Sequence, residues 1–232
     1  MAIVAHKDTF RRATSLFPFV DWANAKILDW GGNIGNLLRA SEGSINPSNY
    51  TCLDVGLDSI EEGRREFPDA TWIHWNRWNT CYNPAGEKNL PYPSLEKYDV
   101  VFSQSVYTHM SFEEFVEALN QFKSYLVPGG YSCHTYVSTT RSQIWLRDIL
   151  YKKRIEKYGT CYEYYNGFEA IKDYCYLIDN HEPTNVFPDH KTNQCVTLYN
   201  DNFLLKQFPG ALLTHAKERH QCGFSLQHKT EI

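Results

Sequence analysis

Two acids stand where a sequence of this kind can do chemistry. Asp29 closes the apolar run Ile27-Leu28 and leads through Trp30 into Gly31-Gly32-Asn33-Ile34-Gly35. Asp54 closes a second run, Tyr50-Thr51-Cys52-Leu53, with Val55 behind it. A glycine-rich turn after a strand lets a ligand approach bare backbone, because Gly31 and Gly32 take angles that side chains forbid. Asn33 is the next best residue for a left-handed conformation. A carboxylate about 20 residues beyond such a turn suits a ribose diol. The pair therefore predicts a ligand that contains a nucleoside. Two histidines are candidates for proton transfer. His109 lies in Val106-Tyr107-Thr108-His109-Met110, and His134 lies inside a strand-like run, where alternation decides between a pocket wall and a satisfied core histidine.

These groups need strands to carry them. Strands are expected at 27–29, 50–54, 71–75, 98–103 and 131–137, with helices at 35–42 and 58–67, the latter capped by Asp58 or Ser59 and stopped by Phe67-Pro68. Ser111-Phe112-Glu113-Glu114 is a capping box opening a helix from Phe112 to Tyr125, with Phe112, Phe115, Val116, Leu119 and Phe122 as its apolar stripe. Alternating strands and helices imply a parallel sheet with right-handed crossovers. From 138 to 195 the alternation stops, and the chain reads as helix and loop rich in tyrosine, including Tyr162, Tyr164, Tyr165, Tyr174 and Tyr176: a place for a substrate-facing insertion. A helix near 200–208 and two strands, 211–215 and 223–227, close the chain as an antiparallel pair.

Length and composition bound the answer. A chain of 232 residues holds one sizeable core, and 42% hydrophobic with 22% charged residues describes a folded globule. The 23 basic against 27 acidic residues, a net charge of -4, disfavour a nucleic-acid partner. No apolar stretch approaches membrane-spanning length, and the N-terminus lacks a signal-peptide core, which predicts a soluble, cytoplasmic protein without a membrane partner. Seven scattered cysteines without a C-x-x-C pair fit reduced thiols. His181, His190 and Cys195 share one polar region, yet their spacing matches no metal motif, and no metal is expected.

With the acid-tipped first strand, the second acid, the segment Tyr98 to Gln104 and the turn Leu126-Val127-Pro128-Gly129-Gly130 in order, the chain resembles the class I S-adenosylmethionine-dependent methyltransferases. The resemblance covers about residues 26 to 137. It implies an α/β fold: a doubly wound, mostly parallel seven-stranded sheet with an antiparallel last strand, here with the helical, aromatic insertion added. A single domain would comprise an N-terminal lid helix (1–25, with Phe10, Phe17 and Phe19 on its apolar face), a cofactor core (26–137), the insertion (138–195) and a closing helix and hairpin (196–232). Carried over, Asp29, Gly31, Gly32 and Asn33 look like the loop along the methionine end of S-adenosyl-L-methionine, with Asn33 where the family usually has glycine. Asp54 looks like the ribose acid and Val55 like an adenine contact. Where many members have an adenine-binding acid, this chain has Trp75-Asn76-Arg77-Trp78. Asn76 would accept that hydrogen bond, Trp75 or Trp78 would stack, and Arg77 lies between them. Ser103 and Gln104 look like groups near the sulfonium and the methionine tail. His109 stands where small-molecule members carry a histidine.

The expected activity is methyl transfer to a small-molecule acceptor, preferably at oxygen, by direct in-line displacement with His109 as leading base. Nitrogen methylation and a protein-modifying enzyme are alternatives, as is a cofactor-binding interaction protein without catalysis. A dinucleotide oxidoreductase would normally show G-x-G-x-x-G, whereas this chain has Gly31-Gly32-x-x-Gly35. Acceptor identity and oligomeric state have no signature in the sequence.

Overall fold

A computed structural model of the protein describes residues 8–79, 82–138, 174–179, 194–215 and 221–229, with backbone alone at 174–179 and 194–196. Strands β1 (Ile27–Trp30), β2 (Tyr50–Asp54) and β3 (Thr71–His74) alternate with helices α2 (Asn36–Ala40) and α3 (Leu57–Glu66), after a first helix α1 (Thr9–Leu16). Strand β4 (Tyr98–Ser103), helix α4 (Phe112–Tyr125) and the long strand β5 (Leu126–Ser138) follow. Strands β6 (Tyr174–Asp179) and β7 (Gln194–Tyr199), helix α5 (Asp201–Gln207) and strands β8 (Leu212–His215) and β9 (Gln221–Gln227) complete the described elements.

Hydrogen bonding runs in the order β3-β2-β1-β4-β5-β9-β8. In that seven-stranded path β9 alone is antiparallel to β5, as the closing hairpin predicts. The pair β6 and β7 is an addition: an antiparallel ladder joined to the carboxyl end of β5 through Val137 opposite Leu198 and Ser138 opposite Tyr199. This corrects the helix-and-loop expectation at 174–179 and 194–195. The β-branched and aromatic runs Tyr174-Cys175-Tyr176-Leu177-Ile178 and Val196-Thr197-Leu198-Tyr199 suit a pleated surface. Residues 139–173 and 180–193, with Tyr162, Tyr164, Tyr165, His181 and His190, lie outside the described residues.

Both faces of the sheet are covered, which is why its central strands are continuous apolar runs. On one face Ile27, Cys52, Val100 and Phe102 meet Ala13, Leu16 and Phe17 near α1, Leu37 and Leu38 of α2 and Ile60 of α3. On the other, Leu28, Leu53 and Val101 meet Phe115, Leu119 and Phe122 of α4, Leu204 of α5 and Phe224 of β9. The capping box is formed: Glu114 N–H donates to Ser111 Oγ at 3.3 Å, and Ser111 N–H donates to Glu114 Oε2 at 2.7 Å. Several boundaries differ from expectation, among them β1, which runs on to Trp30, and β9, which starts at Gln221 rather than Gly223. α3 starts after Gly56 rather than at Asp58 or Ser59, and β5 begins at Leu126, before the Pro128-Gly129-Gly130 turn. That turn stays in the sheet because Gly129 N–H donates to His228 O and His228 N–H donates to Gly130 O, each at 2.8 Å. Gly129, at φ +85°, supplies the bend.

Gly63 on α3 lies directly against the indole of Trp72, which is 7% exposed, and a Cβ there would run into the ring. Alanine is the better helix former by about 1 kcal/mol, but overpacking a rigid buried ring costs about 1 to 3 kcal/mol. Gly63→Ala is therefore expected to destabilise the fold by about 1 kcal/mol, read as a lower urea midpoint at unchanged slope.

Candidate functional site

β2 and β3 are laid down on one side of β1, and β4 and β5 on the other, so the strand order reverses between β1 and β4. A crevice opens at the carboxyl ends of the strands at such a reversal. The β1 loop forms one lip. Gly31 N–H donates to Leu53 O at 2.7 Å, and Gly31, at φ +72°, faces Val106 of the β4 loop. At Gly32 a Cβ would lie 2.7 Å from Asp29 Oδ2 and 2.8 Å from Cys52 Sγ, so no side chain fits. Asn33 adopts φ +55°, the left-handed conformation expected of it. It is held from three directions: its N–H donates to Asp54 Oδ2 at 2.8 Å, Ser59 Oγ donates to its Oδ1 at 2.6 Å, and Cys52 Sγ lies 3.5 Å from its carbonyl oxygen.

The two acids occupy different settings. Asp29 is buried at 3% exposure and accepts a 2.5 Å hydrogen bond from Tyr50 Oη. Burial pushes its carboxyl up to about 7; the Tyr50 hydrogen bond works against that, and the nearby Asp54 charge adds to it. Burial also raises Asp54, but N–H groups of Gly56, Asn33 and Val55 oppose it. The Gly56 bond, to Asp54 Oδ1, is 2.8 Å long. With three N–H groups on about four lone-pair sites, the Asp54 carboxylate keeps one for a ligand hydroxyl. Behind it, Val55 O lies 3.1 Å from His74 Nε2.

The β4 loop forms the other lip. Gln104 Oε1 is buried and has no hydrogen-bond partner among the described residues. Ser105 follows at φ +61°, a conformation that costs a non-glycine residue on the order of 1 to 2 kcal/mol. It is pinned: Ser105 N–H donates to Thr135 Oγ1 at 2.8 Å, Gln221 Nε2 donates to Ser105 Oγ at 2.7 Å, and Arg12 donates to Gln221 Oε1 at 3.1 Å. The 3₁₀ turn Tyr107–His109 then presents His109, partly exposed, to the ring of Tyr82 at 5.0 Å between centroids, edge on at 81°.

Asp29, Gly31, Gly32, Asn33, Asp54 and Val55 thus gather at one lip, and Gln104 and His109 at the other. Other predicted residues are placed elsewhere. His134 is fully buried, with Nδ1 2.8 Å from Ser103 Oγ and Nε2 hydrogen-bonded to Ser132 Oγ, and it packs on Tyr107, Phe122 and Phe224. Burial lowers its pKa to about 3. A neutral ring with both nitrogens engaged and no exposed edge has the core role, which corrects its candidacy as a base. Ser103 is buried with it, its hydroxyl turned to that ring. Trp75 is buried against Trp30 and Tyr92, so it is not a stacking face.

Asn76 Oδ1 accepts from Asn83 Nδ2 at 3.0 Å, and Lys88 Nζ lies 5.1 Å from the Trp78 ring centroid. Arg77 clasps both Glu117 carboxylate oxygens of α4 at 2.8 and 3.0 Å while its guanidinium lies over Trp75 and Tyr92. These three residues brace the loop after β3. Sequence reasoning missed Ser59, Tyr50, Gln221 and Tyr82. Ser59 and Tyr50 had a local signal, since a helix-start serine and a strand-start tyrosine both abut the acids. Among the described residues no group of three or more metal-ligating side chains is gathered, and no helix is long and apolar enough to cross a membrane.

Residues 28–132, from β1 into β5, match the family described as a methyltransferase domain. The fold is shared with several solved methyltransferases. The glycopeptide N-methyltransferase MtfA complexed with sinefungin has a TM-score of 0.55 at 8% identity, covering 97% of this chain and 94% of that one. DesVI of Streptomyces venezuelae gives 0.53 at 14% identity, covering 97% and 93%. An S-adenosylmethionine-dependent methyltransferase from Clostridium acetobutylicum ATCC 824 gives 0.52 at 8% identity, covering 99% and 94%.

Asp29 yields a test of the electrostatics. A carboxyl with a folded pKa near 7 and an unfolded one near 3.8 binds more protons folded than unfolded between those values. Its contribution to stability is fully present below about pH 4 and is lost as pH rises through about 7. Asp29→Asn, which still accepts from Tyr50, should flatten that part of the profile. Denaturant titrations of both proteins from pH 4 to 8 check it, and parallel profiles would refute the Asp29 assignment.

Proposed function

We propose that the methyltransferase domain carried by residues 28–132 binds S-adenosyl-L-methionine in the crevice between β1 and β4 and methylates a small-molecule acceptor, preferably at oxygen. The observation that carries this reading is the unpartnered buried Gln104 Oε1 on the β4 loop, at the strand-order reversal whose other lip holds Asp54. A buried acceptor without a donor favours a ligand that brings one. The ammonium of a methionine moiety is such a donor. In this reading Asp54 takes a ribose hydroxyl on its remaining lone pair, and Val55 lines the adenine side.

When bound, the cofactor supplies a methyl group already activated by its sulfonium. The residues of this chain then have two tasks. The braced lips fix the alignment of the two reactants, which supplies most of the acceleration in such a displacement. His109, at the open side of the β4 loop, takes the proton of a hydroxyl acceptor. MtfA, whose name specifies nitrogen as its acceptor atom, favours a second reading in which the acceptor is an amine.

Calorimetric titration with S-adenosylhomocysteine and, separately, with a nicotinamide dinucleotide tests the donor: binding of the first alone is expected, and binding of the second alone would overturn the reading. Once an acceptor is turned over, His109→Ala should leave S-adenosylhomocysteine affinity within about two-fold and lower kcat by about 100-fold. Unchanged kcat would remove His109 from its role as base.

A further inference from the structure

Among the described residues, three that are not glycine have a left-handed backbone, and two of them, Asn33 and Ser105, stand on the two loops that form the crevice. The neighbours of Ser105 carry the contacts of the β4 loop. Val106 Cγ2 fills the space that a Cβ on Gly31 would need, 2.4 Å away, and Gln104 Oε1 is the buried acceptor without a partner. The backbone angle at Ser105 therefore sets where both side chains lie.

Every polar group of Ser105 is engaged. Its N–H donates to Thr135 Oγ1 at 2.8 Å, its carbonyl oxygen accepts from Thr108 Oγ1 at 2.7 Å, and its hydroxyl oxygen accepts from Gln221 Nε2 at 2.7 Å. Gln221 is 7% exposed, and its amide is used at both ends, because Arg12 Nη1 donates to Gln221 Oε1 at 3.1 Å. The ladder between β5 and β9 holds the Gln221 backbone opposite Val137 without help from this side chain. Arg12 is carried by α1, which is anchored on the sheet through Ala13, Leu16 and Phe17. A relay of two side chains thus runs from the first helix and the last strand to the one left-handed residue of the β4 loop.

We propose that Arg12 and Gln221 are positioning residues for donor binding, a role that rests on the reading of the crevice as the S-adenosyl-L-methionine site. They hold Ser105 left-handed, and so keep Gln104 and Val106 where the ligand meets them. Neither needs to touch the ligand. Without the relay, Ser105 returns to the backbone angles that a non-glycine residue prefers, the competent conformer becomes a minority, and apparent affinity falls by the same fraction. Glycine at position 105 carries no such preference and makes the relay dispensable.

The test is calorimetric titration of the full chain with S-adenosylhomocysteine, with the urea midpoint of each protein measured alongside. Gln221→Ala and Ser105→Ala should each bind about ten-fold more weakly than the wild type, and Arg12→Met about three-fold more weakly. Ser105→Gly and the double variant Gln221→Ala/Ser105→Gly should bind within about three-fold of the wild type. The double variant lacks more hydrogen bonds than Gln221→Ala yet binds more tightly, which a role in stability alone does not produce. If Gln221→Ala binds like the wild type, or the double variant binds no better than Gln221→Ala, the positioning role is overturned while the cofactor reading stands. Should Gln221→Ala fail to fold, Ser105→Ala and Ser105→Gly decide by themselves, and equal affinities overturn the role. If the wild type does not bind, the cofactor reading falls and the positioning role with it.

Discussion

The site depends on one carboxylate. Asp54 accepts from Asn33 N–H with one oxygen and from Gly56 N–H with the other, and so ties the loop after β1 to the loop after β2. Without that tie, the turn from Asp29 to Gly35 would have to hold three left-handed residues, Gly31, Asn33 and Gly35, with few tertiary constraints. With it, the Asn33 N–H is fixed, Ser59 captures the Asn33 side chain, and Gly32 is brought so close to Asp29 and Cys52 that no side chain fits. Binding geometry here is a consequence of charge-assisted bonds to backbone rather than of side chains aimed into a pocket.

Burial acts on the titratable groups of the two faces in opposite senses. Asp29 on the α1–α3 face and His134 on the α4 face are both enclosed at the carboxyl half of the sheet, and in each case burial disfavours the charged form. The carboxyl rises to about 7 and the imidazole falls to about 3. Each is satisfied by hydroxyls, Tyr50 for Asp29 and Ser103 with Ser132 for His134, which donate or accept without adding charge. In the proposed function, proton transfer therefore falls to a group at the rim. His109 is partly exposed and stands at that rim.

What was legible in the sequence is what is local. The acid-tipped strands, the capping box at Ser111 and the left-handed Asn33 are determined by a few neighbouring residues, and the structure has them where the pattern puts them. His134 was ambiguous for a physical reason: the second half of β5 is buried on both sides, so the alternation that assigns a residue to one face is missing. Arg77 and Asn76 were assigned from position in the chain, but their partners, Glu117 and Asn83, are set by how the loop folds back on α4. The strands β6 and β7 were lost because a tyrosine-rich run suits an aromatic core and a pleated edge equally well.

The same distinction separates the two lips. The lip proposed for the donor is built from β1, β2 and α3, contacts spanning a few tens of residues. The β4 loop, the lip proposed for the acceptor, is held by Thr135 from β5, Gln221 from β9 and Arg12 from α1, elements from both ends of the chain. Ser105 keeps its left-handed backbone because its N–H and its hydroxyl are both taken by those partners, so strain at the β4 loop is sustained by closure of the antiparallel strand beside β5. The contacts of the first lip all lie within the first half of the sheet. The arrangement of Gln104 and His109 requires the whole sheet, and that is why a short motif identifies the donor whereas acceptor chemistry belongs to the completed fold.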